Sequence, residues 1–329
     1  SNQRYSTDPI AEVQIVTSPN RAFREPGVEY PGWTPPPTLP IWDGNPEVFE
    51  LDPDRLGLPN QTIPAGSTFD AVGVIGFEFG DYELWPTVLN VAPATLPRPV
   101  RARTVDEFTI GSLNLYRFFD DVDDPIDPAG RNDEVDSAYA TRRAKLAAYI
   151  LDVLDAPDIL GVQEAEKIEV LQDLAGEIFG LDAAVTYDAY LIEGNDVGTI
   201  DVGFLVRSDW VAVDAITQLG ASETLSVDGS PLHDRPPLLL EGRFIGGSVD
   251  FPLAVMVNHN RSLNGIDDPD PTGSRTRQKR LEQAQSIAQK VQDFQTANPT
   301  IPLLVIGDLN AFEFSDGYVD VVGQIAGDF

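Results

Sequence analysis

The chain has 329 residues, long enough for one large domain or two smaller ones, each with a real core. Its 53 acidic and 22 basic side chains give a formal charge of −31. Repulsion of that size disfavours polyanionic partners at low salt and is screened at high salt. The composition suits salty surroundings, or simply an acidic bacterial protein. There is no cysteine, which excludes disulfides and thiolate chemistry. No apolar run is long enough to span a bilayer, so no membrane partner is expected.

Residues 1–66 are rich in proline and glycine, yet Phe23, Tyr30, Trp33, Trp42 and Phe49 punctuate them. Disordered tracts are poor in aromatics, so an irregular but ordered segment is expected. The stretch STFDAVGVIGFEFGDYELWPTVLNV reads as two strands around Gly80-Asp81, where glycine suits a tight hairpin turn. The prolines of residues 92–104 then read as a linker. The expected division is a β-rich region over 1–103 and a second domain over 104–329.

From about residue 105 strands and helices alternate. FTIGSLN (108–114) reads as a strand. SAYATRRAKLAAYILDVLDA reads as a helix ended by Pro157, with Leu146, Ile150 and Leu154 on one face. DILGVQE (158–164) is a second buried strand, and KIEVLQDLAGEIFG a helix closed by Gly180. Strands are predicted near 185–193, 200–207, 236–244, 252–258 and 302–307. SRTRQKRLEQAQSIAQKVQDF is a long amphipathic helix.

Four apolar strands end alike: at Asn114, at Glu164, at Asn258-His259, and at Asp308 with Asn310. Strand ends hold polar groups on a rigid support. Oxygen donors of this kind suit a hard cation such as Mg2+ or Mn2+, and a histidine can move a proton. Each group alone has a plainer reading. Gly-Asp-x-Asn is often only a turn, Glu164 could open a solvated loop, and His259 could be a structural histidine. The conjunction of four such ends is what points to a shared cation and phosphate site.

IGSLNLYRFFD, PDILGVQEAE, VNHNRSLNG and IGDLNAFEFSDG together resemble the endonuclease/exonuclease/phosphatase superfamily over about residues 105–329. The upstream GVIGFEFGDYELWPT resembles the oligonucleotide-binding-like barrel that precedes this domain in bacterial extracellular nucleases. The resemblance implies an α+β fold, the four-layer α/β/β/α sandwich of deoxyribonuclease I-like proteins, preceded by a β-rich barrel-like region. It implies a secreted, metal-dependent phosphodiesterase acting on nucleic acid, DNA or RNA. A phosphatase or lipid phosphodiesterase, or a non-catalytic binding module, are the other readings. Position by position, the resemblance makes Asn114 and Glu164 metal ligands, and His259 a phosphate contact or general acid. Asp308 becomes the group that orients water or binds metal, Asn310 a phosphate-oxygen donor, and Arg261 a phosphate contact. Asn195 is a further candidate lining the same site, or else a turn residue.

The family's later Asp-His pair has no counterpart here. Only His233 and His259 are present, and the chain is therefore expected to be a piece of a longer protein. Two charge features remain. Residues 118–136 carry eight acids, a loop that is either solvated or a Ca2+ site. Arg275, Arg277, Lys279 and Arg280 crowd the N-terminal half of a helix against its dipole, which suggests a nucleic-acid phosphate edge or pairing with surface acids. Oligomeric state is not legible.

Overall fold

The computed structural model describes residues 13–17, 48–78, 81–95, 97–104, 107–122, 135–247, 250–311 and 318–327. The aromatic-punctuated stretch through Trp42, the hairpin glycine Gly80 and residues 123–134 of the acidic loop lie outside these. The chain divides into two compact units, residues 1–98 and 99–329.

In the first unit, β1 (Val13–Val16), β2 (Val48–Leu51), β3 (Thr68–Glu78) and β4 (Asp81–Ala92) form one sheet in the order β1-β2-β4-β3. β3 and β4 pair antiparallel from Thr68↔Ala92 to Glu78↔Asp81, the expected hairpin. Val13, Ile15, Leu51 and Ile63 make its small core.

The second unit contains two further four-stranded sheets. One is β5 (Ile110–Phe118), β6 (Ile159–Ala165), β8 (Asp201–Arg207) and β7 (Tyr187–Leu191), in the order β5-β6-β8-β7. The other is β12 (Leu303–Asp308), β11 (Phe251–His259), β10 (Leu238–Phe244) and β9 (Val211–Gln218), in the order β12-β11-β10-β9. Their facing surfaces meet in a core that includes Ile159, Phe204, Leu240, Val255 and Val257. Each such side chain, fully buried, contributes ~1.5–3 kcal/mol. On the outer face of the first sheet, α1 (Tyr139–Asp152) and α2 (Ile168–Leu181) bury Ile150, Leu171, Leu174 and Ile178. On the outer face of the second, α3 (Thr272–Ala297) packs Ile287 and Phe294 against Ala254 and Met256. The short α4 (Val321–Ala326) adds Ile325 beside it. Helix, sheet, sheet, helix: this is the expected α+β sandwich.

Alternation along the strands explains the layering. On β11, Leu253, Val255 and Val257 face the other sheet while Ala254 and Met256 face α3. The sheets pack closely at Gly161, where an added Cβ would lie 2.6 Å from Ile306 Cδ1 and 3.1 Å from Val257 Cγ2.

Boundaries depart from the periodic reading in places. α1 stops at Asp152, before Pro157, because Asp155 and Ala156 turn into left-handed backbone at φ 56° and 46°. Gly180 lies inside α2, which ends at Leu181 with the Asp182 N–H bonded back to Ile178. β1, β2, β9 and α4 escaped the sequence reading, which took residues 1–66 as irregular; β9 is a partly exposed strand with little apolar alternation.

Candidate active site

The site forms where parallel strands end together. β5 runs parallel to β6, and β11 parallel to β12, with His259 level with Asp308. Asn114 lies on the face of β5 that carries Ile110 toward the opposite sheet. Asp308 similarly follows Ile306, and His259 follows Val257. Simple alternation therefore brings three polar groups from two sheets to one end of the sandwich.

Glu164 arrives by a different route. Leu160 and Val162 point to the helices, so alternation would bury Glu164 there too. Instead the pairing slips. Gln163 faces Asn114 and Ala165 faces Phe118, and a matching shift separates β6 from β8. Glu164 is left as a bulge residue at φ 62°, and its carboxylate turns to the site. Tyr116 and Arg117 in the opposing bulge are also left-handed, at φ 56° and 52°. Arg142 of α1 clamps this bulge by donating to the carbonyl oxygens of Leu115, Tyr116 and Arg117.

The Asn114 amide is the hub. Its Nδ2 donates to Glu164 Oε1 at 2.8 Å and to Asp308 Oδ2 at 3.1 Å, and its Oδ1 accepts the Tyr116 N–H at 2.8 Å. Glu164 Oε2 accepts the Arg117 N–H at 2.8 Å. Asp308 Oδ1 accepts the Asn310 N–H at 2.9 Å, the turn expected of Asp-x-Asn, while its other oxygen faces the site. His259 Nε2 stands 3.9 Å from Glu164 Oε1 and 4.0 Å from Asp308 Oδ2. Burial, reinforced by the Arg235 guanidinium, pushes the His259 pKa down to about 4. Asp308, Glu164 and Asp196 pull the other way without prevailing. The imidazole is thus neutral at ordinary pH.

Asn310 lies at φ 47° and its Nδ2 donates to the Asn260 carbonyl at 3.0 Å. That carbonyl also receives Arg235, which is paired with Asp196 at 3.2 Å. Arg261 joins through its backbone: its N–H donates to Gln283 and its carbonyl accepts Arg280, while its guanidinium reaches the Asn264 carbonyl. Arg280, fully buried on α3, also donates to the Asn310 carbonyl at 2.9 Å. Arg142, Arg235 and Gln283 are supporting residues that sequence reading missed, and Arg280, read there only as one of a basic cluster, is another. Their only signal was polarity on otherwise amphipathic or loop segments.

The remaining candidates are bonded to other partners. Asn195 Nδ2 donates to the carbonyls of Ala221 and His233, tying two loops together. Arg275 is held by Asp228 and Ser230, and Arg277 by the Ile266 carbonyl, Asp270 and the Tyr318 ring. In the acidic loop, Asp120 pairs with Lys167 and Asp136 with Arg142.

Among the described residues no three His, Cys, Asp or Glu side chains are grouped to hold a metal by themselves. Two carboxylates and an amide nevertheless converge, with hydrogen-bond donors already satisfying part of their charge. A donor set of one or two carboxylates fits Mg2+, which keeps most of its water.

Residues 109–324 match the profile of the Endonuclease/Exonuclease/phosphatase family. The chain belongs to this family. Its members include nucleases, phosphodiesterases and phosphatases, typically phosphoric ester hydrolases that commonly use divalent metals. Among solved structures, the fold is similar to an endonuclease/exonuclease/phosphatase family protein from Bacteroides thetaiotaomicron. That match has 18% identity over 67% of this chain and 68% of that one, with a TM-score of 0.44. It is also similar to a mannosyl-6-phosphatase from the same organism (18%, 67% and 70%, TM-score 0.42). TDP2 from C. elegans is a third (20%, 54% and 45%, TM-score 0.37), so the match spans less than half of that chain. No curated protein sequence matches the chain.

Proposed function

We propose that this family member is a metal-dependent phosphodiesterase acting on nucleic acid. One observation carries the reading: Glu164 and Asp308, from different sheets, share the Asn114 amide within 4.0 Å of a neutral buried imidazole. Glu164 and Asp308 would hold Mg2+ or Mn2+, with the Asn114 amide turned so that its Oδ1 rather than its Nδ2 meets the ion. Such an ion, when bound, neutralises charge developing on the phosphoryl and leaving oxygens.

The chain's own groups divide the remaining work. Two carboxylates face His259 Nε2, which favours the tautomer with its hydrogen there, available to donate to a phosphoryl oxygen. Asp308 is the more open carboxylate, its side chain 34% exposed against 16% for Glu164, and it orients the attacking water. The Asn310 amide and the Arg261 guanidinium would hold further phosphate oxygens. The resemblance of the upstream strands to an oligonucleotide-binding-like barrel favours nucleic acid over lipid or sugar phosphate, and a secreted location goes with it.

The test is cleavage of labelled single- and double-stranded DNA and RNA with Mg2+ or Mn2+, arrested by chelator. Glu164→Gln and His259→Ala should each lower the rate by about 10²–10³-fold. Metal-dependent hydrolysis of a sugar phosphate but of no nucleic acid would replace this reading with the phosphatase one.

A further inference from the structure

Among the described residues of the second unit, Tyr116 is the most exposed large apolar or aromatic side chain, at 79%, and it sits two residues from the hub amide. Its Cα lies no more than about 7 Å from that of Asn114. A bulky residue at φ 56° is an uncommon conformation, and Arg117 beside it is also left-handed. Three carbonyl bonds from Arg142, the Tyr116 N–H on Asn114 and the Arg117 N–H on Glu164 together hold it. The backbone that presents this ring is thereby locked to Asn114 and Glu164, two of the groups that would carry the metal. No aromatic ring or guanidinium among the described residues stacks on it, whereas Arg117 lies over Phe119 and Arg142 over Phe118. Folding gains little from an aromatic ring left in water, and strained backbone is unfavourable. Strain that persists under several converging bonds next to a reaction centre is accounted for by what the residue meets there.

We propose that Tyr116 is a specificity-determining residue: a stacking platform for the nucleobase next to the phosphate that is cut. An open π-face takes any base, and a single stacked base adds of the order of ten-fold in affinity. A substrate without a planar group, such as a sugar phosphate or a phosphocholine head group, gains nothing from it. The inference rests on the nucleic-acid reading and narrows it, since it locates recognition in the base rather than in the phosphate charge alone. For a chain of charge −31, contact with an uncharged face avoids the repulsion that the phosphates meet.

The experiment uses the whole chain in Mg2+ with two fluorescein-labelled 12-nucleotide strands. Both have cleavage-resistant phosphorothioate linkages; one carries bases and the other has base-free tetrahydrofuran sugars throughout. Anisotropy gives the two dissociation constants. The expected result is roughly ten-fold tighter binding of the base-bearing strand. That preference should be abolished in Tyr116→Ala and kept in Tyr116→Phe, with melting temperatures confirming that both variants fold. A preference that survives Tyr116→Ala, or equal binding of the two strands by the unaltered chain, overturns the inference and leaves the nucleic-acid reading standing. If no strand is bound, and unmodified strands are not cut, the nucleic-acid reading fails and this inference falls with it.

Discussion

Glu164 shows what one residue costs and contributes. Its left-handed backbone is unfavourable for any side chain by about 1 kcal/mol, a cost glycine does not bear. Its carboxylate, by contrast, accepts both Asn114 and the Arg117 N–H, and faces Asp308 across the hub. These two properties separate in a pair of variants. Glu164→Gly and Glu164→Ala both lose the carboxylate and should be equally inactive. The glycine variant should be the more stable by about 1 kcal/mol, read as the difference between their urea midpoints at equal m. Equal stability would mean that the bulge relaxes once the carboxylate is gone.

At the scale of elements, strand ends deliver the groups and bulges aim them. β5, β11 and β12 carry Asn114, His259 and Asp308 by ordinary alternation, and the paired irregularity of β5 and β6 supplies the exception. The geometry also depends on the spacing of the two sheets. Gly161 sits directly beneath the hub, against Ile306 and Val257, the residues that precede Asp308 and His259 by two. Gly161→Ala should therefore crowd the Ile306 and Val257 side chains and, where these do not turn aside, push the sheets apart, costing about 1 kcal/mol. It should also lower activity in proportion greater than stability, because the carboxylates on opposite sheets separate. Denaturation and initial rates on the same preparation check this.

For the whole molecule, acid should act on two buried imidazoles, His259 in the site and His233 in the bracket between α3 and the loop that precedes β10. Buried His233 meets Ser286 there, with Glu223, Lys290, Lys279 and Asp234 around it. Burial, with Lys290 and Lys279, pushes its pKa down to about 4, against the pull of Glu223 and Asp234. Between about pH 6.5 and 4 the unfolded chain takes up a proton that the folded chain refuses, so stability falls as pH drops through that window. Burial works to raise the Glu223 pKa, but its bonds from Lys290 and Ser286 prevail and hold it low. A second loss therefore follows below about pH 4.5. In His233→Gln the upper window should shrink to the share that His259, also held at about 4, contributes. The stability difference between variant and unaltered chain should change by on the order of 1–3 kcal/mol from pH 7 to 4.5, measured by denaturant unfolding at each pH.

The sequence by itself determined the class of fold, most of the strands and helices, and the list of groups at the strand ends. Apolar runs of period two and 3.6 are set locally, and a polar residue that stops such a run is visible as one. Asn114, Glu164, His259, Asp308 and Asn310 could be named in that way. The tertiary structure decided which of them meet and how. A hydrophobic pattern does not encode a register slip, so alternation alone would have sent Glu164 toward α2. Nor does it show that Arg142 reaches across to three carbonyls, that Arg280 joins Arg261 to Asn310, or that Arg275 is occupied by Asp228. Long polar side chains find partners far away in the chain, and only the packed sheets fix those distances.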